Sequence, residues 1–266
     1  MASADEMGLT PEAARGYEKF FVPSIFHQWP PLIATEAEIR REDDVLDVGC
    51  GTGALTREVA QHVGDAGSVA GLDLSESMLG VARETCPGID FRQGSATDLP
   101  YGDGCFDIVV SSFMLMFVPD PRKAISEMRR VLRPGGRLVV SVWQSLDSNP
   151  AYAALVEATR EVAGDASAQS VAWPFIMGEP ERLSGLFEAA GMSDAAATEH
   201  DGTAVFPSVE EFVRTEIQAW LLADSVDDQK IDMIIRELRS RYADFGSTSG
   251  PVEFPLNAVL VKYVAG

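Results

Sequence analysis

Basic residues are scarce in this chain. Its 21 lysines and arginines stand against 41 aspartates and glutamates, leaving a formal net charge of -20. A surface that negative repels phosphate backbones and anionic lipid headgroups, so no nucleic-acid partner and no membrane insertion are expected. The arginine pairs at 40–41 and 129–130 are isolated and form no basic patch. Cysteine is also rare: Cys50, Cys86 and Cys105 are three in number, with no CxxC pair. That excludes a disulfide framework and points to a reducing, cytoplasmic setting. Histidine is limited to His27, His62 and His200. No His-carboxylate or His-Cys spacing suggests a metal site, so none is expected. Long apolar runs are missing too. The most apolar window, Cys105 to Val118, is 14 residues long and contains Asp107, Ser111 and Ser112. It is too short and too polar to span a bilayer. The opening "MASADEMGLT" has no apolar run, so no secretory signal is expected.

What is present is an ordinary globular composition. The chain has 266 residues, 46% of them hydrophobic, enough for one large domain or one domain with an inserted lid. Residues 10–40 are rich in aromatics and prolines. There Pro30-Pro31 is expected to break any helix, with a short one over Thr35 to Arg41. From Asp44 onward strands and helices alternate. Val45–Val48, Ser68–Asp73, Ile89–Arg92, Phe106–Ser111 and Arg137–Trp143 are expected strands. Between them, apolar spacing predicts helices over Thr52–His62, Glu76–Thr85 (with Ser75 as N-cap) and Pro121–Leu132, the last stopped by "RPGG". Such alternation means a doubly wound parallel sheet with helices on both faces. Further helices are expected over Tyr152–Ala163, Pro180–Ala190 and twice within 208–243. One strand is expected after Gly191-Met192 and another in the closing "FPLNAVLVKYVAG".

The stretch "VLDVGCGTG" places glycines at 49, 51 and 53, directly after the first expected strand. In a doubly wound sheet, ligands sit at the carboxyl ends of the strands, beside this turn. Glycine there permits positive φ and lets backbone approach a ligand, and the N–H groups opening the next helix face its negative group. Asp73, closing the second strand, can accept the two hydroxyls of a ribose. The spacing is GxGxG rather than the GxGxxG of dinucleotide sites. Asp47 lies two residues before the first glycine, where its carboxylate suits an ammonium better than a pyrophosphate. A ligand with an amino-acid end and a ribose end fits: S-adenosylmethionine.

With these residues identified, a resemblance can be named. "VLDVGCGTG" (45–53), "GLDLSESML" (71–79), "FRQGSATDLPYGDGCFDIVVSSFMLMFVPDP" (91–121) and "EMRRVLRPGGRLVVSVW" (127–143) resemble the class I S-adenosylmethionine-dependent methyltransferases. The subgroup they are most similar to is the small-molecule type that includes the ubiquinone/menaquinone-pathway methyltransferases. The resemblance runs over about residues 40–145 and fades on both flanks, which in this family build the substrate pocket. It implies a Rossmann-like fold: a mostly parallel seven-stranded sheet with an antiparallel last strand and helical lid insertions. The expected organisation is an N-terminal helical lid (1–40), a cofactor-binding core (41–145), and a completion of the sheet (146–266). That last part carries an inserted helical cap at about 146–180 and 208–246.

The resemblance also assigns roles. Asp47 would reach the methionine ammonium through water; otherwise it is a strand-end carboxylate capping the turn. Gly49 and Gly51 would pass close to the methionine moiety, and Asp73 would bind the ribose. Leu74 and Met78 would pack on the adenine, although Met78 also suits a core position. Ser95 stands where the family commonly has Asp, and can still accept a hydrogen bond from the adenine amino group. Ala96 would offer its N–H to the ring. Ser112 and Phe113 match positions whose backbone faces the methionine end. Met116 replaces a histidine of many relatives and cannot shuttle a proton. Tyr17 is a candidate lid residue over the cofactor.

Methyl transfer requires positioning and exclusion of water, and an oxygen or carbon nucleophile also requires a base. His27, inside the aromatic "SIFHQWPP", is the candidate base; a packed or surface histidine is the alternative. Trp29, Trp143, Trp173, Trp220, Phe20, Phe21, Phe26 and Phe175 would suit an apolar pocket, or simply the core. The expected function is therefore methyl transfer to an O, N or C nucleophile of a small apolar or aromatic molecule, by a monomer or homodimer. The alternatives are a nicotinamide-dependent oxidoreductase, which the glycine spacing disfavours, and an adenosyl-ligand binder without that chemistry.

Overall fold

A computed structural model describes residues 10–217, 226–242, 245 and 250–266. The strands are β1 (Asp44–Val48), β2 (Ser68–Asp73), β3 (Asp90–Gln93), β4 (Phe106–Ser112), β5 (Leu132–Trp143), β6 (Ala196–His200), β7 (Thr203–Phe206), β8 (Val252–Pro255) and β9 (Ala258–Val264). The helices are α1 (Pro11–Gly16), α2 (Trp29–Glu36), α3 (Ala54–Val63), α4 (Glu76–Thr85), α5 (Pro121–Arg130), α6 (Pro150–Ala163), α7 (Asp165–Ala172), α8 (Pro180–Ala189), α9 (Val209–Glu216) and α10 (Asp228–Arg241). Seven strands form one sheet in the order β3-β2-β1-β4-β5-β9-β6, while β7 and β8 pair apart from it. Strand β9 runs antiparallel to β5 and β6, and the remaining ladders of this sheet are parallel. This is the doubly wound, mostly parallel sheet with an antiparallel last strand in sequence that the resemblance implies.

The central strands are continuous apolar runs because helices cover both faces. Val45, Leu46, Val48, Ile108, Val109, Val110, Leu138, Val139 and Val140 are all buried. Ser75 caps α4 as expected, its hydroxyl accepting from the Met78 N–H. Two boundaries differ from expectation for physical reasons. Pro30 and Pro31 open helix α2 rather than break it. In the first turn an absent N–H costs nothing, because that N–H has no intrahelical partner. The "RPGG" at 133–136 does not lie between helix and strand but inside β5, where the register with β4 jumps from Phe106↔Leu132 to Ile108↔Arg137. Arg133 is held there by Asp44 and Asp107, at 2.8 and 2.6 Å. The β7–β8 pair adds to the expected strands; each of the two is only four residues long.

The N-terminal segment and the C-terminal helices are tied to the sheet by side chains that substitute for backbone. Between α1 and α2 the chain forms a π-helix, Tyr17–Phe26, with Pro23 inside it. Gln28 then pairs with β7 as a strand would, donating to the Thr203 carbonyl and accepting from the Thr203 N–H. Buried Asn149, ahead of α6, donates to the carbonyls of Gln144 and Ser145 and accepts from the Asn257 N–H. Gly178 brings the chain before α8 directly onto the end of β5, so that a Cβ there would collide with backbone of Trp143, Gln144 and Ser145.

These contacts set opposite expectations for two glycines. Gly178→Ala should lower stability by about 1–3 kcal/mol, because backbone must move to admit the methyl. At exposed Gly185, inside α8, an added methyl would meet nothing within 4 Å. There the same change should stabilise by about 0.5–1 kcal/mol through the unfolded chain. Thermal melts of both variants check this, and equal effects would refute the assigned contact.

Candidate active site

The carboxyl end of β1 determines the site. Gly49, Gly51 and Gly53 all have positive φ, at 73°, 53° and 86°, a region that other residues enter only with strain. The turn is hung from the end of β2. The Leu72 carbonyl accepts from the N–H groups of Gly49 and Cys50, at 2.7 and 3.0 Å. The Asp73 carboxylate accepts from the Gly51 N–H at 2.8 Å and the Ser75 N–H at 2.9 Å. A Cβ on Gly49 would collide with the Met114 side chain, whereas a Cβ on Gly51 would meet open space.

That space is a cavity of about 620 Å³, a size suited to small molecules. Of the residues expected from sequence, Tyr17, Gly49, Gly51, Asp73, Leu74, Met78, Ser95, Ala96, Ser112 and Phe113 all line it. Asp47 lies behind the turn, on a second space of about 40 Å³ that it shares with Tyr17, Gly49, Gly51 and Ser112. One Asp47 oxygen accepts from the Thr56 hydroxyl at 2.6 Å. The other, Oδ1, is buried with no hydrogen-bond partner. Burial raises the Asp47 pKa to about 7; the Thr56 bond opposes the shift and the Asp73 charge adds to it. Burial also raises the pKa of Asp73, against the pull of the backbone N–H groups it accepts from.

Several side chains behave differently from expectation. His27 is exposed and lines neither space, because it follows the π-helix on its solvent side; it is no longer a candidate base. His62 pairs with Glu58 and His200 with Thr198, neither in the cavity. The Ser95 hydroxyl is engaged locally, within 2.8 Å of the Thr97 hydroxyl and accepting from the Thr97 N–H. Phe113 has a φ of 51°. Its N–H is committed to the Ser141 carbonyl, so it contributes a ring rather than an N–H to the cavity. That ring stacks on Trp143, with centroids 3.7 Å apart. Among the expected aromatics, Phe21, Phe26, Trp143 and Phe175 line the cavity. Trp29 is core, its indole N–H donating to the Ile25 carbonyl. Trp173 donates to the Met116 carbonyl outside the lining, and Phe20 lies at the surface. Trp220 is outside the described residues.

Among the lining residues that the sequence does not single out are Tyr152 and Glu216. Tyr152, from α6, donates its hydroxyl to Glu216, at the end of α9, over 2.6 Å. Both are buried. Burial raises the Glu216 pKa to about 7, opposed by the Tyr152 bond. A signal is present in "VEEFVRTE": Val209, Phe212, Val213 and Glu216 fall on one helical stripe, and its last member carries a charge. Among the described residues no group of three or more His, Cys, Asp or Glu could hold a metal ion, and no helix is long and apolar enough to cross a membrane.

A parallel sheet with an antiparallel last strand, a GxGxG turn and an acid closing β2 defines a protein that binds an adenosyl amino acid. The comparisons agree. A family model described as a methyltransferase domain matches residues 46–140. A demethylmenaquinone methyltransferase of Paenarthrobacter aurescens is 34% identical over 182 residues, covering 63% of this chain and 69% of that one. One of the same name from Shouchella clausii is 40% identical over 116 residues, covering 42% of this chain but only 49% of its own length. The YcgJ protein of Bacillus subtilis shares the fold at a TM-score of 0.62, with 20% identity, over 90% of this chain and 98% of that one. The chain belongs to the S-adenosylmethionine-dependent methyltransferases. The residues present fit that cofactor: an orphaned buried carboxylate oxygen suits its cationic end, and the open space over Gly51 admits its chain.

The raised acids make stability depend on pH. Asp47 and Glu216 have ordinary values of 3.8 and 4.5 and folded values of about 7. Between those limits the folded state holds more protons than the unfolded one, so stability falls as pH rises from about 4 to about 7. Asp47→Asn keeps an acceptor for Thr56 and carries no charge. It should flatten this slope in ligand-free protein and be the more stable form at about pH 8, by about 1 kcal/mol or more. Urea melts across that range provide the measurement, and parallel slopes would count against the assignment.

Proposed function

We propose that the cavity seats S-adenosylmethionine against the glycine turn and a small, largely apolar methyl acceptor beyond it. The unpartnered Asp47 oxygen carries this proposal, since a buried carboxylate oxygen without a donor calls for a cation or a water leading to one. In this arrangement Asp47 takes the ammonium and Asp73 the ribose hydroxyls. Leu74 and Met78 flank the adenine, with Ser95 and Ala96 at its edge. Gly49, Gly51, Ser112 and Phe113 lie along the methionine chain, and Tyr17 covers it. The cofactor supplies an electrophilic methyl group on a sulfonium. The chain's own part is to align the acceptor and keep water out. Phe21, Phe26, Trp143 and Phe175 give the acceptor region apolar walls. Two relatives are named for demethylmenaquinone, and an apolar ring compound is the acceptor class we favour. The free thiols of Cys50, Cys86 and Cys105 suit a reducing, cytoplasmic setting.

Titration calorimetry with S-adenosylmethionine, S-adenosylhomocysteine and NAD provides the test. Binding of the first two and not the third is expected; tighter binding of NAD would sink the proposal. Asp73→Ala should weaken S-adenosylmethionine by about 1–3 kcal/mol. That loss includes loosening of the turn, because Asp73 also holds Gly51 and Ser75. Asp73→Asn, which retains an acceptor, should lose less, and unchanged affinity in both variants would refute the ribose role.

A further inference from the structure

The Tyr152–Glu216 pair is not among the residues that the proposed cofactor seat uses. It is buried, it lines the cavity, and it comes from the α6 and α9 flanks rather than from the sheet. Among the described residues, the only cationic one in the lining is Lys123, which is exposed. The titratable groups that face Glu216 are therefore uncharged phenols: Tyr152 from α6, which donates to it, and Tyr17 from the π-helix. The Tyr17 hydroxyl is pushed up by burial and by the charges of Asp73, Glu18 and Glu216. On helix α10, Arg239 pairs with Glu210, Arg241 with Glu161 and Glu237, and Asp228 and Asp232 with Arg214. Strand β7, also packed against α9, carries no titratable side chain.

We propose that Glu216, oriented by Tyr152, receives the hydroxyl of a ring-borne O–H acceptor and takes its proton as the methyl is transferred. The inference rests on the proposed function. Tyr152 already donates to Glu216, so the remaining capacity of that carboxylate is for another donor. A carboxylate- or phosphate-bearing acceptor would face like charge in an apolar enclosure. An ammonium would pair well, but in its protonated form it has no lone pair for the displacement. A hydroxyl on an apolar ring satisfies both the aromatic walls and the carboxylate. The acceptor's O–H bond breaks and its proton passes to Glu216. The electron pair released forms the bond from oxygen, or from a conjugated ring carbon, to the methyl carbon, while the C–S pair stays on sulfur. A base with a pKa of about 7 is well placed for such a transfer near neutral pH.

The test uses the full chain saturated with S-adenosylhomocysteine, so that binding is read without turnover. Calorimetry compares 1-naphthol with 1-naphthoate. 1-Naphthol should bind about tenfold or more tighter than 1-naphthoate, and its affinity should rise between about pH 6 and about pH 8 as Glu216 ionises. Glu216→Gln should lose about tenfold of that affinity and the pH rise with it, while S-adenosylhomocysteine still binds. Tyr152→Phe removes the donor that stabilises the carboxylate, and should move the pH rise upward. The inference is overturned if 1-naphthoate matches 1-naphthol, or if Glu216→Gln keeps both affinity and pH rise. If Glu216→Gln fails to fold, an unshifted profile in Tyr152→Phe overturns it. Failure of the wild-type chain to bind S-adenosylhomocysteine would instead overturn the function on which the inference rests.

Discussion

The site depends on how the first turn is suspended from the second strand. The glycine turn satisfies only the Gly53 N–H from within, through the Cys50 carbonyl. The Leu72 carbonyl and the Asp73 carboxylate accept from three others, those of Gly49, Cys50 and Gly51. The same carboxylate accepts from Ser75, just before α4. One acid therefore fixes the opening of the turn, the start of the next helix and the floor of the cavity. Met114 closes the other side: it occupies the volume a Cβ on Gly49 would need, so the end of β4 can approach the turn only if residue 49 is glycine. The geometry that presents backbone to a ligand thus follows from hydrogen-bond accounting as much as from glycine itself.

The flanks complete this floor into an enclosure. The π-helix is latched to α3 by Glu18 and Arg57, 2.9 Å apart, and to β7 by Gln28. From the other side Asn149 anchors α6, and the close approach at Gly178 anchors the chain before α8. Tyr17, Phe21 and Phe26 meet Trp143 and Phe175 across the cavity from elements far apart in sequence. A displacement at a cationic carbon benefits from such walls because water is the competing nucleophile. Phe113 shows what the enclosure costs. Its φ of 51° is strained for a ring-bearing residue, and the stack on Trp143 together with the bond to Ser141 holds it there.

The sheet is legible in the sequence because its central strands are runs rich in β-branched residues, a local pattern. Asp47, Gly49, Gly51 and Asp73 are legible for the same reason: their spacing along the chain is the geometry. Pro30-Pro31 misleads because proline is forbidden in a helix interior but welcome at its first turn, and sequence alone does not say which this is. "RPGG" misleads because a bulge lets a strand begin before its register settles. His27 stands out for its chemistry and its aromatic neighbours, but at the end of the π-helix it is left at the surface. Glu216 and Tyr152 lie 64 residues apart and meet only through the packing of α6 and α9. A charged residue on an apolar stripe is visible in the sequence; its partner is not.

The charge pattern of the cavity unites these features. Asp73 and Glu216 line it, Asp47 stands just behind it, and among the described residues the only lining cation is the exposed Lys123. Burial opposes ionisation of all three acids, so the site without its ligand is electrostatically incomplete, at some expense of stability. A ligand bearing an ammonium and a sulfonium would complete it, since each positive charge would favour the ionised acids that the fold alone disfavours. A demethylated product, lacking the sulfonium charge, would be less well matched to the acidic enclosure than the donor. The surplus of acid that argues in the sequence against anionic partners recurs inside the cavity, where it would favour the charged form of the cofactor.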